Sequence, residues 1–182
     1  MGKKERTREL IINTAIGLFI KKRSENVSMD EIAESAGIAR RTLFNHFNTK
    51  EQLILEITSP IFNYGIYYLE ELNKRDQITL DAIADLCFSL WKEYEKNTEL
   101  FYSIDFEDFS QLKELHSRYI KLYIDIFQRI EDLPIDLIDK KRELASIVFR
   151  CFVPILSNIS AMNNPEKRFR EALKGLVYGL SI

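Results

Sequence analysis

Histidine is nearly absent from this chain. Only His46 and His116 occur, so a zinc site or a catalytic histidine cluster has almost no material to draw on. Cysteine is equally scarce. Cys87 and Cys151 lie far apart, inside apolar helical patterns, at no metal-ligand spacing. They read as buried thiols of a reducing compartment, with redox sensing as the alternative. No run of 18 apolar residues is present, which excludes a membrane-spanning helix. No charged-then-apolar leader ending in small residues is seen either, and the expected location is the cytoplasm. There is no Gly-rich phosphate loop and no paired Ser/His/Asp arrangement, so enzyme classes find no support and no cofactor is expected. Val and Thr are sparse and no alternating run exceeds a few residues, which leaves little room for a sheet. What remains is Leu, Ile, Glu and Lys in helical periods: the fold class is all-α.

The charge is unevenly placed. Residues 1–50 carry ten Lys and Arg against six Asp and Glu, a balance of +4, while the remainder carries 16 against 22, a balance of −6. The chain total of −2 hides this asymmetry. A positive first quarter suits docking on phosphates, which needs cations only on the face that meets them. Lys3, Lys4, Arg6 and Arg8 either track a nucleic-acid backbone or form an ordinary solvated start.

The most informative stretch is 28–47, SMDEIAESAGIARRTLFNHF. Ser28 and Glu31 stand at capping-box spacing, Ile32, Ala33 and Ala36 form an apolar face, and Gly37 sits where a helix end needs a left-handed residue. The next helix places Leu43 and Phe47 on one side. Arg40, Arg41, Thr42, Asn45 and His46 face the other. This is the layout of a helix-turn-helix, whose second helix enters the major groove of DNA. An amphipathic helix containing Leu10, Ile11, Ala15, Leu18 and Phe19 precedes it. Another begins at Thr49 and Gln52, which form a second capping box, and continues through Leu53, Ile54 and Ile57.

Residues 7–57 resemble the N-terminal domain of the TetR/AcrR family of transcriptional regulators. The resemblance rests on Ala15 and Leu18-Phe19, Ser28, Asp30-Glu31-Ile32-Ala33, Ala36-Gly37-Ile38, Thr42-Leu43-Phe44, His46-Phe47, Lys50-Glu51 and Leu53. It covers about a third of the chain. One segment departs: where the family has glycine and then an aromatic after the first helix, followed by threonine, this chain has Arg23, Ser24 and Val27. The resemblance implies a three-helix DNA-binding domain over residues 1–49 and a helical ligand-binding and dimerisation domain over 50–182. It implies a ligand-responsive repressor that binds a palindromic operator as a homodimer and is released by a small lipophilic or aromatic effector. The alternative is a partner-binding coactivator of the same fold that no longer binds DNA.

Candidate roles follow. Arginine bridges the two major-groove acceptors of guanine and asparagine pairs with adenine, which points to Arg40 and Asn45 as base readers. Ser28, Phe44 through its backbone, His46 and Lys50 are candidates for phosphates, with Thr42 on the same exposed side. Arg41 fits either a base or the backbone.

Beyond residue 50 the pattern predicts a connecting helix to about Asn73, kinked or broken near Ser59-Pro60. Further helices are expected over about 80–96, 100–106, 109–131 and 136–160. A last one opens with Asn164 as cap, Pro165 and Glu166. Fourteen of the 21 aromatics fall between Phe62 and Phe127. Core packing explains such spacing. A small-molecule pocket explains it too, lined by Tyr64, Tyr67, Tyr68, Phe88, Trp91, Tyr94, Phe101, Tyr102, Phe106, Tyr119 and Tyr123. Nearby acids (Asp85, Glu93, Asp105, Glu107, Asp108) form a solvated face or, with the rings, suit a lipophilic cation. The apolar excess of the last two helices points to a twofold interface through residues 137–160 and 166–180, with Val148, Phe152, Ile155, Leu156, Phe169, Leu173, Leu176 and Leu180 at its centre.

Overall fold

The computed structural model describes residues 2–94, 100, 103–104 and 110–180, and among these the architecture is all-α. The helices are α1 (Lys3–Lys22), α2 (Met29–Ser35), α3 (Arg40–His46), α4 (Lys50–Asn73), α5 (Leu80–Glu93), α6 (Ser110–Gln128), α7 (Lys141–Ile159) and α8 (Pro165–Tyr178). Short 3-10 turns cover Ser24–Asn26 and Ile135–Lys140. The chain divides into two compact units, Met1–Pro60 with Lys96–His116, and Ile61–Glu95 with Ser117–Ile182. No helix among the described residues is long and apolar enough to cross a membrane.

In the first unit, α1 turns one stripe inward: Ile11, Ala15 and Phe19, at four-residue spacing, are completely buried. Leu10, one position off that stripe, is exposed. A residue step of 100° is enough to carry it out of the core. The Ser28 hydroxyl accepts from the Glu31 N–H at 3.1 Å and starts α2. The reciprocal half of the capping box is missing, because the Glu31 carboxylate pairs instead with Lys22. Gly37 adopts φ +64°, and the following Ile38 N–H returns to the Ala33 carbonyl at 3.0 Å, ending α2 as glycine permits. At the start of α4 the Thr49 hydroxyl accepts from Gln52 N–H at 3.0 Å, and the Gln52 carboxamide takes the Asn48 N–H at 2.9 Å. Both ends of the α3–α4 corner are therefore hydrogen-bonded.

Arg23 is the backbone exception. It closes α1 at φ +66°, ψ 149°, a conformation natural only to glycine. The chain is held there by the Arg23 N–H to the Phe19 carbonyl at 2.7 Å, and Ser24 donates its N–H to the Ser103 carbonyl at 2.7 Å.

α4 runs unbroken through Pro60, so of the kink or break expected there the break does not form. Proline removes one ladder bond only, and the large apolar residues on either side, Ile57, Ile61 and Phe62, are all buried.

In the second unit, α5 is capped twice, by the Thr79 hydroxyl (from Ala82 N–H, 3.3 Å) and by the Asp132 carboxylate (from Leu80 N–H, 2.8 Å). It ends at Glu93, three residues before the expected Lys96. The 109–131 expectation shortens to α6 (Ser110–Gln128). Ile130 leaves the helix to form a lone parallel bridge with Ile78, and the Glu131 N–H bonds to the Ile78 carbonyl at 3.1 Å. The 136–160 segment begins as the 3-10 turn and becomes α-helical at Lys141, whose ammonium donates to the carbonyls of Gln128 and Ile130. The helix expected over 100–106 falls largely outside the described residues. α8 opens as expected with Pro165 at its first position, following Asn164 in the left-handed region. The Asn164 side chain makes no capping bond.

Candidate nucleic-acid interface

α3 is only seven residues long, and its orientation is fixed by two side chains. Leu43 and Phe47 are completely buried, each removal from water being worth about 1.5–3 kcal/mol. With that side sealed, Arg40, Arg41 and Asn45 stand exposed, and Thr42, Phe44 and His46 are half-buried at the edges. Arg40 is 69% exposed, and its Nε lies 3.0 Å from Asp30 Oδ1. Its guanidinium also sits 5.4 Å from the centroid of the Phe44 ring. Asp30 was invisible as a partner in the sequence because ten residues and a turn separate it from Arg40.

The other sequence-expected residues are placed as follows. Ser28 is exposed and its hydroxyl caps α2. Lys50 is turned into the unit: its ammonium donates to the carbonyls of Ser24 at 2.9 Å and Val27 at 3.1 Å, pinning the loop before α2. Those bonds give it a fastening role in place of a free cation. Arg8 is likewise engaged. It pairs with Glu56 at 2.8 Å, stacks 4.5 Å from the Phe47 centroid and donates to the His46 carbonyl at 3.5 Å. Lys3, Lys4 and Arg6 are exposed, but on the first turns of α1 and not on an extended arm. His46 has its Nδ1 buried without a hydrogen-bond partner among the described residues. Burial, then the charges of Lys4 and Arg8, lower its pKa and favour the neutral ring.

The second unit gathers most of its aromatics into packed clusters. Tyr119 and Tyr123 stack against Phe149 and, through neighbouring rings, reach Phe62, Phe127 and Phe152, at centroid distances of 5.6–6.5 Å. Gly65 lets this happen: a Cβ there would stand 2.5 Å from the Tyr119 ring. Burial drives both tyrosine hydroxyls and the Cys87 thiol upward, the thiol to about 12, so Cys87 is inert as a thiolate. The Tyr123 hydroxyl has no hydrogen-bond partner among the described residues. Tyr64 pairs edge-on with Tyr94 at 5.9 Å, and Phe88 with Trp91 at 5.8 Å. The second pair floors an open groove of about 670 Å³ rimmed by Lys92, Lys167 and Arg170. Tyr68 is half-buried. Tyr67, expected in a pocket, is 64% exposed, since it lies on the outer side of α4 between the buried Ile66 and the half-buried Tyr68. Phe101, Tyr102 and Phe106 lie outside the described residues.

Two further expectations change. Two of the three acids of α5 are already matched: Asp81 pairs with Lys174 at 2.8 Å and Asp85 with Arg170, which also binds Glu166 at 2.8 Å. Of the residues expected at a twofold interface, Val148, Leu156, Phe169 and Leu173 are buried within the protomer. They are the inward stripe of α7 and α8, because the two helices pack on each other and on α5. Phe152, Ile155 and Leu176 remain half-buried and Leu180 exposed.

Known proteins agree with this geometry. The sequence profile described as bacterial regulatory proteins of the tetR family matches residues 11–57. The negative transcriptional regulator of the biofilm operon icaADBC, IcaR, from Staphylococcus epidermidis is 26% identical over 126 residues, covering 69% of this chain and 56% of that protein. The transcriptional repressor KstR2 from Mycolicibacterium smegmatis is 28% identical over 127 residues, 70% of this chain and 53% of that one. The matched stretch thus spans little more than half the length of these curated relatives. In three dimensions, NalD, the secondary repressor of the MexAB-OprM multidrug efflux pump of Pseudomonas aeruginosa, shares the fold with a TM-score of 0.63 at 19% identity, over 96% of this chain and 95% of its own. A helix-turn-helix with a sealed back and an open cationic front is what residues 11–57 share, in order and spacing, with the bacterial regulatory proteins of the tetR family, and the chain as a whole is similar to transcriptional regulators of that family.

Proposed function

We propose that the chain is a repressor that binds double-stranded DNA as a homodimer and lets go when a small lipophilic effector binds. The observation that carries this reading is the face of α3. Arg40, Arg41 and Asn45 project outward from a helix whose other side is locked by Leu43 and Phe47. A seven-residue helix reaches only a few base pairs. Two copies on one side of the duplex, one helical turn of about 34 Å apart, supply the missing specificity and require a palindromic operator. Residues 1–49 act as the reading domain and 50–182 as the effector and dimerisation domain. The repressor names of IcaR and KstR2 support the direction of regulation.

Dimerisation proceeds through α7 and α8, with the incompletely buried Phe152, Ile155, Leu176 and Leu180 in the seam. The effector is neutral. Asp81 and Asp85 of α5 already have cationic partners, so a lipophilic cation gains little from them, whereas the buried Tyr123 hydroxyl has no hydrogen-bond partner among the described residues and offers a donor. The protein acts in the cytoplasm, where its DNA lies.

The test is selection of duplexes from a random pool, followed by affinity measurements across a salt series. An inverted repeat should emerge, with replacement of Arg40 or Asn45 by alanine costing about 1–3 kcal/mol at one position of each half-site. Failure to enrich any duplex overturns the reading in favour of a partner-binding coactivator. Sedimentation that finds a stable monomer at micromolar concentration removes the dimer.

A further inference from the structure

We propose that Asp30 is a positioning residue that makes Arg40 a base reader and leaves Arg41 to the phosphate backbone. The inference rests on the DNA-reading function above. Asp30 lies in the first turn of α2 and Arg40 opens α3, so the pair bridges the turn of the helix-turn-helix. The carboxylate approaches Arg40 at Nε, 3.0 Å away, while the Phe44 ring, one helical turn further along α3, lies 5.4 Å from the guanidinium carbon. The guanidinium is held by a charge on one side and a ring on the other.

The chemistry of that clamp is selective. A guanidinium carries its donors in a planar fork. With the carboxylate at Nε, the terminal Nη1 and Nη2 remain, and their paired N–H groups match the O6 and N7 acceptors of guanine. Restraining the side chain before docking also removes rotamer freedom that a loose arginine would lose on binding. Arg41 is exposed and has no carboxylate against it among the described residues, so it keeps the mobility and unscreened charge that suit a phosphate.

Asp30 acts a second way. It places a negative charge on the cationic docking face. An ion pair with partners 69% and 56% exposed adds little to folding, and a carboxylate in the first turn of α2 needs no arginine beside it to favour the helix. On DNA the same charge opposes non-specific phosphate binding. Specificity is a difference of affinities, and a group that weakens binding to every sequence while aiming one arginine at one base widens that difference.

The experiment uses the full chain and the duplex it selects from a random pool. Affinities are measured at fixed salt for that duplex, for a random duplex, and for the selected duplex with 7-deazaguanine at each guanine in turn. Asp30→Ala should bind the random duplex about fivefold more tightly, the scale of one exposed ion pair. It should also lose at least about fivefold of the penalty that 7-deazaguanine imposes at the guanine whose contribution disappears in Arg40→Ala. Asp30→Glu should restore most of that penalty. In an Arg40→Ala background, Asp30→Ala should change no base preference further. Thermal melting of each variant confirms folding, and an unchanged melting point is expected. If Asp30→Ala strengthens binding to all duplexes alike and leaves the 7-deazaguanine penalty intact, the positioning role is overturned. It is equally overturned if the sensitive guanine depends on Arg41 and not on Arg40. Should the unsubstituted protein select no duplex at all, the DNA-reading function itself fails and this inference fails with it.

Discussion

In the first unit the rings of Phe19 and Phe47 are sealed from water while Arg40 and Arg41 stand in it; in the second, Arg170 and Lys174 are tied to Asp85 and Asp81, and Tyr119 and Tyr123 are buried among other rings. One unit is built to show its charge and the other to neutralise it internally. The contrast explains why the charge asymmetry of the sequence is meaningful. The positive balance of residues 1–50 leaves Arg40 and Arg41 exposed on α3, whereas Asp81 and Asp85 of α5 are cancelled by Lys174 and Arg170 of α8. It also separates two uses of aromatics. In the first unit Phe19 and Phe47 each fix a helix, so that the opposite side is presented. In the second the rings pack against each other, and the polar groups caught among them, the Tyr123 hydroxyl and the Cys87 thiol, stay protonated.

The comparison can be broken most directly at Phe47. Phe47→Ala removes a fully buried ring that seats α3 and supports Arg8, and should cost about 3–5 kcal/mol. Far-ultraviolet circular dichroism in a denaturant series would measure it, and a loss under 1 kcal/mol would show that α3 is not held as described. Gly65→Ala tests the second unit in the same way. The added methyl meets the Tyr119 ring at 2.5 Å, and overpacking should cost about 1–3 kcal/mol despite the better helix propensity of alanine. Trp91, the single tryptophan of the chain, lies in this unit, so its fluorescence reports that transition.

A smaller effect, of opposite sign, sharpens the picture at the end of α1. Arg23→Gly relieves a backbone conformation suited to glycine and should stabilise the protein by about 1 kcal/mol, even though it deletes an exposed ion pair to Glu25. A melting temperature that falls would refute the strain. The smallest effect is pH dependence. The His46 pKa is lowered from 6.5 in the folded state, so the unfolded chain takes up the proton first as pH drops. Stability should be full above about pH 6.5 and decline below it, and His46→Gln should flatten that decline. An unaltered pH profile in the variant would place the titrating group elsewhere.

The reading helix was legible in the sequence because local rules suffice there. Ser28, Gly37, Leu43 and Phe47 act within a few residues of one another, and caps, a left-handed glycine and a four-residue apolar spacing behave alike in any surroundings. The second unit was less legible. A helical spacing of aromatics does not say which ring faces out, and Tyr67 and Tyr123 carry the same local signal while one is exposed and the other sealed. The sides of α7 were hard to read for a related reason. α7 has apolar residues on more than one side, and only its packing on α8 and α5 decided that Val148 and Leu156 are fully buried while Phe152 and Ile155 stay half-buried.

By itself, then, the sequence determined the helices, the turn at Gly37 and the side of α3 that carries its polar groups, since each follows from backbone geometry and the burial of apolar spacing. Only the tertiary structure decided which charges remain available. Lys50 and Arg8 are fastened to backbone and ring, Arg40 is steered by Asp30, and Asp81 and Asp85 of α5 are matched by α8. Such pairings join residues distant along the chain, and electrostatic attraction between them acts only once packing has brought them within a few ångströms.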